Sequence, residues 1–190
     1  MKEKQDALKV IILCALAACI NVILGSIVTF TNIPFLYLDS IGTIFISSNF
    51  KLKYGIFTAI TTHLLLAIFH GTLALPFSLV SITIAIIASF SSKNGLNYKN
   101  AVVTGILLTL IGSLISAPIR VILYGGFKGL VNSPTDFIVF SMKAAGFKLL
   151  IAAYWGAVSD GILDKIISCL LVTWLNNLPQ INSNLKIFKE

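Results

Sequence analysis

Ala101–Tyr124 reads AVVTGILLTLIGSLISAPIRVILY, a run with one formally charged side chain, Arg120. Wound as a helix, it rises about 36 Å, enough to cross a hydrocarbon core of about 30 Å. Five further apolar runs accompany it, at about 7–29, 36–50, 54–69, 75–90 and 156–175. The second, third and fourth are short for a span, which implies thinning of the bilayer, tilt or burial within a bundle. The predicted fold is all-α: one integral membrane domain of six transmembrane helices.

The composition of the whole chain agrees. Of 190 residues, 57% are hydrophobic and 11% charged, where a soluble domain carries roughly 25% charged residues. Mean hydropathy is +0.95. With so few charges, the bilayer must serve as part of the solvent. The net charge is +7, from 14 Lys+Arg against 7 Asp+Glu. The lysines are spread over short loops rather than gathered on one face, which argues against nucleic acid as a partner. Cys14, Cys19 and Cys169 lie in apolar runs without CxxC or Cys/His spacing, so neither a metal site nor a disulfide framework is indicated. Lys2, Lys4 and Lys9, followed by Leu16-Ala17-Ala18-Cys19, look like a lipoprotein signal. The apolar run continues through Ile20-Asn21-Val22-Ile23-Leu24, and the stretch is read as a first membrane helix.

Between the fifth and last runs lies Asp136–Trp155, moderately apolar but carrying Lys143 and Lys148. Asn132-Ser133-Pro134-Thr135 is a helix-start signal before it. The expectation is an interfacial helix of about 136–155 over a pocket mouth, with a seventh span as the alternative. Charge supports the first. With six spans and a cytoplasmic N-terminus, Lys2, Lys4, Lys9, Lys51, Lys53, Lys93, Lys99, Lys186 and Lys189 all fall inside. Of the opposite loops, Phe30–Phe35 and His70–Ala74 hold no Lys or Arg, and only the long fifth loop has any, starting with Lys128. That asymmetry is the positive-inside rule, and it places the chain in the cell membrane with both termini cytoplasmic.

An ionisable side chain at bilayer depth costs roughly 2.5–3.5 kcal/mol on insertion scales, so each demands a reason. In this topology Asp39 opens the second span and His70 closes the third, both at the outer side. Arg120 lies about 6 Å below the outer end of the fifth span. Asp160 and Asp164, spaced i,i+4, share one face of the last span, about 6 and 12 Å deep. The charges converge on the outer half. Two readings stand. Either Arg120 and one or both aspartates bind a ligand, or an Arg120–Asp164 pair locks the fifth and last helices. The Tyr124-Gly125-Gly126-Phe127-Lys128-Gly129 turn sits above Arg120 and lets a ligand approach the backbone. Tyr37, Phe35 and Trp155 are candidate aromatic walls, or interface-belt residues. Asn21 is assigned to interhelical hydrogen bonding. Small residues at Ala17/Asn21/Gly25 and Gly105/Gly112/Ser116 pack the bundle or dock another membrane subunit.

No catalytic residues and no cofactor are expected. HExxH, GxSxG, GxxxxGK(S/T) and a strand-linked GxGxxG are all missing. Two aspartates on one helix face do not make the facing dyad of an aspartyl enzyme. Energy from ATP would have to come from another subunit.

The layout resembles the substrate-binding S components of energy-coupling factor (ECF) vitamin transporters, six-helix membrane proteins of about this length. The likeness rests on Leu36-Tyr37-Leu38-Asp39-Ser40-Ile41-Gly42 through Asn49-Phe50-Lys51-Leu52-Lys53-Tyr54-Gly55-Ile56, a short second helix and a compact turn into the third. It rests further on Gly125-Gly126-Phe127-Lys128-Gly129, Asp164-Lys165-Ile166-Ile167-Ser168 and Pro179. The resemblance implies a binding subunit for a small vitamin-like solute. Helices one to three would meet a transmembrane coupling subunit, driven by two cytoplasmic ATPase subunits. Ligand would bind near the outer face through helices four to six and the loops after helices one, three and five. Many family members carry Ala-x-x-x-Ala in helix one; here the nearest small pairs are Cys14/Ala18 and Ala15/Cys19. Rival readings are a stand-alone secondary transporter, which predicts an internal repeat that is not evident, and a membrane sensor or assembly protein.

Overall fold

A computed structural model describes residues 2–31, 33–93, 95–125 and 134–181. Among them every regular element is a helix: α1 Lys2–Thr31, α2 Ile41–Asn49, α3 Leu52–His70, α4 Ser78–Ser91, α5 Tyr98–Tyr124, α6 Pro134–Ala144 and α7 Leu149–Asn177. A 3₁₀ turn, Thr72–Phe77, leads into α4. Four stretches are long and apolar enough to cross a membrane: Ala7–Thr31, Leu52–His70, Thr72–Ser91 and Tyr98–Tyr124. α7 is longer than any of these, but Asp160, Asp164 and Lys165 interrupt its middle. α2, at about 14 Å, is less than half the thickness of a hydrocarbon core.

The elements start and stop for local reasons. Asn97 caps α5 by accepting the Asn100 N–H at 2.8 Å. Gly125 ends the same helix in the left-handed conformation at φ 63°, which a residue without Cβ adopts without strain. The long helices pack in the order α1, α3, α4, α5, α7, and the short α2 touches α1, α3, α4 and α7. α2 can be this central because its contacts are small. A Cβ on Gly42 would overlap the Ala17 carbonyl of α1. Asn21 ties the junction: its Nδ2 donates to Thr43 and Thr62 Oγ1, both at 3.0 Å, and its Oδ1 accepts the Gly42 N–H at 2.7 Å. A buried carboxamide must be satisfied in this way, and here one side chain joins three helices. Ile41, Ile44, Ile84, Leu108, Cys169 and Val172 form the apolar core around α2.

α5 and α7 share the most extensive seam. A Cβ on Gly105 would stand 2.7 Å from Ile166 Cα, and Thr109 Oγ1 lies 2.9 Å from the Gly105 carbonyl and 3.1 Å from the Gly161 carbonyl. The small residues of α1 and α5 therefore serve internal packing. The outer faces remain apolar, as lipid-facing surfaces are. On α1 the exposed residues include Leu8, Ile12, Leu16, Ile20, Ile23 and Ile27; on α7 they include Ile151, Leu163, Ile167, Leu171 and Trp174.

Three expected boundaries are corrected. The second helix does not begin at residue 36, because Leu36–Ser40 is irregular, with Phe35 and Leu38 at φ 60° and 54°. The expected interfacial helix of 136–155 is two elements, α6 and the first turns of α7, divided at Gly146 (φ 89°). The last helix thus begins at Leu149 rather than at Gly156. Asp160 and Asp164 then lie about 16 and 22 Å along it, near its middle.

Candidate functional site

Asp39, Asp160, Asp164, Arg120, Lys165 and both histidines of the bundle converge on one cavity of about 360 Å³. Its wall comes from α1 after Gly25, the α1–α2 loop, the C-terminal part of α3, the 3₁₀ turn and start of α4, α5 from Leu108 to Tyr124, and α7 from Ala157 to Lys165. These segments share one end of the bundle. Lys9, Lys51, Lys53, Lys93 and Lys99 lie on the segments that form the other end.

Arg120 and Asp160 meet across the α5–α7 seam, Nη1 to Oδ2 at 3.1 Å, with both side chains largely buried. Asp160 also accepts the hydroxyls of Thr135, from α6, and Tyr37. The expected Arg120–Asp164 pairing is therefore corrected to Arg120–Asp160. One helical turn separates the two carboxylates, and Asp160, not Asp164, is the one that meets Arg120.

Asp164 has a different task. It is fully buried, and its Oδ1 accepts the backbone N–H groups of Tyr37 and Leu38 at 2.9 and 2.7 Å. Its Oδ2 receives Lys165 Nζ at 2.6 Å. Lys165 reaches on to Ser40 Oγ at 2.9 Å and Asp39 Oδ1 at 3.4 Å. α7 thus holds the α1–α2 loop through a carboxylate and an ammonium. That grip accounts for the two non-glycine residues in the left-handed region, a conformation that costs roughly 1–3 kcal/mol and persists only where the surroundings impose it.

His63, from α3, faces the same cavity. Its Nδ1 donates to the Ala74 carbonyl at 3.0 Å, since a carbonyl can only accept, and its Nε2 meets Ser81 Oγ at 2.7 Å. His70 lies nearer the rim, 3.4 Å from Ser26 Oγ. The remaining wall mixes hydroxyls such as Ser113 and Ser116 with apolar Leu66, Val80 and Ile84.

Of the site residues expected from sequence, Arg120, Tyr124, Asp39, Tyr37, Asp160 and Asp164 line this cavity. Trp155 does not. It is 48% exposed, edge-on to Tyr154, and stands on the outer face of α7. Gly125 caps α5 and is not part of the lining. Gly126 and Lys128 lie outside the described residues. Lys165, His63 and His70 were not among the expected set. A signal for Lys165 was present: two carboxylates at membrane depth need a cation within reach, and Lys165 adjoins one of them. Among the described residues no group of three His, Cys, Asp or Glu side chains is placed to hold a metal ion.

No protein-family model, curated protein or solved structure matches this chain. What the site does must be argued from its own chemistry. It is a concave space of ligand size, largely apolar, with a few convergent polar groups.

Proposed function

We propose that this chain is the membrane-embedded, substrate-binding subunit of an ECF-type importer for a small vitamin-like solute, and not an enzyme. The observation that carries the proposal is the cavity at the end of the bundle opposite Lys9, Lys51, Lys53, Lys93 and Lys99, with paired ionisable groups in its wall. Charged groups buried at membrane depth are expensive and are retained where a solute or ion is handled. In the proposed topology six segments cross or enter the bilayer: α1 to α5 and α7. α7 qualifies because its exposed face is an apolar stripe while its charges turn inward. α2 is carried as a half-span buried among its neighbours. Both termini and the lysine-rich loops face the cytoplasm, by the positive-inside rule, and the cavity opens outward.

The partners proposed are a transmembrane coupling subunit and two cytoplasmic ATPase subunits. Of the two small pairs in helix one, Cys14 and Ala18 are buried, whereas Ala15 and Cys19 are exposed. A coupling subunit would meet the second pair. The test is solute uptake by cells expressing this chain with and without an ECF coupling subunit and its ATPases. Accumulation only in the presence of the complete module is the expected result. Accumulation without any ATPase would replace the proposal with a stand-alone carrier.

A further inference from the structure

We infer that the cavity takes a small monocation, a protonated amine or nitrogen heterocycle on an apolar or aromatic body, whose charge docks on Asp39. The inference rests on the solute-receptor reading above and names the substrate class of that same site.

The charges of the described lining residues do not balance. Asp39, Asp160 and Asp164 contribute three negative charges, Arg120 and Lys165 two positive ones, and three minus two leaves one negative charge with the histidines neutral. The pairing says where it resides. Asp160 is occupied by Arg120 and two hydroxyls. Asp164 is occupied by Lys165 and two backbone N–H groups. Among the described residues Asp39 has only a longer, shared contact with Lys165 at 3.4 Å, and its side chain, in the cavity wall, is 40% exposed.

An anion would compete with Asp160 for Arg120 or with Asp164 for Lys165, cations that those carboxylates already neutralise. A cation on Asp39 breaks nothing. It also completes an alternation of charge: cation, Asp39, Lys165, Asp164. Tyr37, Tyr124 and Phe77 bring aromatic side chains to the wall for the body of such a solute and for its charge. The seat for Asp39 is prepared by Gly25, where an added Cβ would stand 3.2 Å from the Asp39 Cβ.

The test uses the full chain in lipid nanodiscs and three probes of matched size: phenethylammonium, 2-phenylethanol and 3-phenylpropanoate. Binding is read by calorimetry, beside native mass spectrometry for any co-purified solute. Phenethylammonium is expected to bind at least roughly tenfold tighter than either partner, the scale of one ion pair or cation–π contact. Asp39→Asn should abolish that preference and Asp39→Glu should keep it. Tighter binding of 3-phenylpropanoate or 2-phenylethanol, or phenethylammonium binding unchanged by Asp39→Asn, would overturn the cation assignment and leave a solute cavity standing. If no probe binds but a solute co-purifies, its charge decides: a cation supports the inference, and a neutral or anionic molecule overturns it. If nothing binds and nothing co-purifies, both the inference and the receptor reading fail.

Discussion

At the scale of single residues, the structure turns on two carboxylates one helical turn apart that do different work. Asp160 neutralises Arg120, and Asp164 holds a loop and an ammonium. Removing one member of a buried pair exposes the other to an uncompensated environment, at a cost on the order of 3–5 kcal/mol. Asp164→Ala and Lys165→Met are each expected to lower the melting temperature of the purified protein sharply. The double variant should lose less than the sum of the two, a coupling that a double-mutant cycle measures directly. Additive losses would mean that the pair is not an energetic unit. Trp155→Phe is expected to change stability by no more than about 0.5 kcal/mol, as for other exposed sites, and to leave solute binding as it was. Much of this site was legible in the sequence, because Arg120, Asp160 and Asp164 stand out in apolar runs. Their pairing was not. It depends on how α5 and α7 are rotated and offset against each other, which the residue pattern of neither helix records.

At the scale of elements, α2 and the loop before it decide the shape of the cavity. α2 reaches the centre because nothing larger than hydrogen stands at Gly42 opposite the Ala17 carbonyl. Gly42→Ala should therefore cost about 1–3 kcal/mol of overpacking, read as a lowered melting temperature with helix content retained. A melting temperature equal to that of the parent would show that α2 does not sit so close to α1. Gly112→Ala is the useful contrast. Its added Cβ would meet only Val80 Cγ1 at 3.6 Å, an ordinary contact on the cavity wall. Stability should hold within about 0.5 kcal/mol, while solute affinity falls. Hydropathy found the long helices readily, since α1, α3 and α5 are nearly unbroken apolar runs. It extended α2 too far, because Leu36-Tyr37-Leu38 is as apolar as a helix would be. The N–H groups of Tyr37 and Leu38 go instead to a carboxylate 127 and 126 residues away. Local pattern carries no record of a partner at that distance.

At the scale of the whole molecule, the two ends of the bundle differ, one bearing Lys9, Lys51, Lys53, Lys93 and Lys99 and the other the polar cavity, with Lys143 and Lys148 at the turn into α7. The sequence showed this asymmetry through Lys51, Lys53, Lys93 and Lys99 against the lysine-free Phe30–Phe35 and His70–Ala74 loops. It did not show that Asp39, His63, Arg120 and Asp160 enclose one space, since that follows from the order in which α1, α3, α4, α5 and α7 pack. In a cysteine-free background, Thr72→Cys should react with a membrane-impermeant maleimide on intact cells, and Lys93→Cys only after permeabilisation. The reverse pattern would invert the topology and put the cavity on the cytoplasmic side. The central claim is that the cavity holds a solute. Native mass spectrometry of the full chain purified from cells grown in rich medium tests it most directly, with Gly112→Leu as the variant that fills the space. The account predicts one small molecule retained per parent chain and none on the filled variant. A parent chain that retains nothing and binds no added probe, or the same adduct on both, would contradict it.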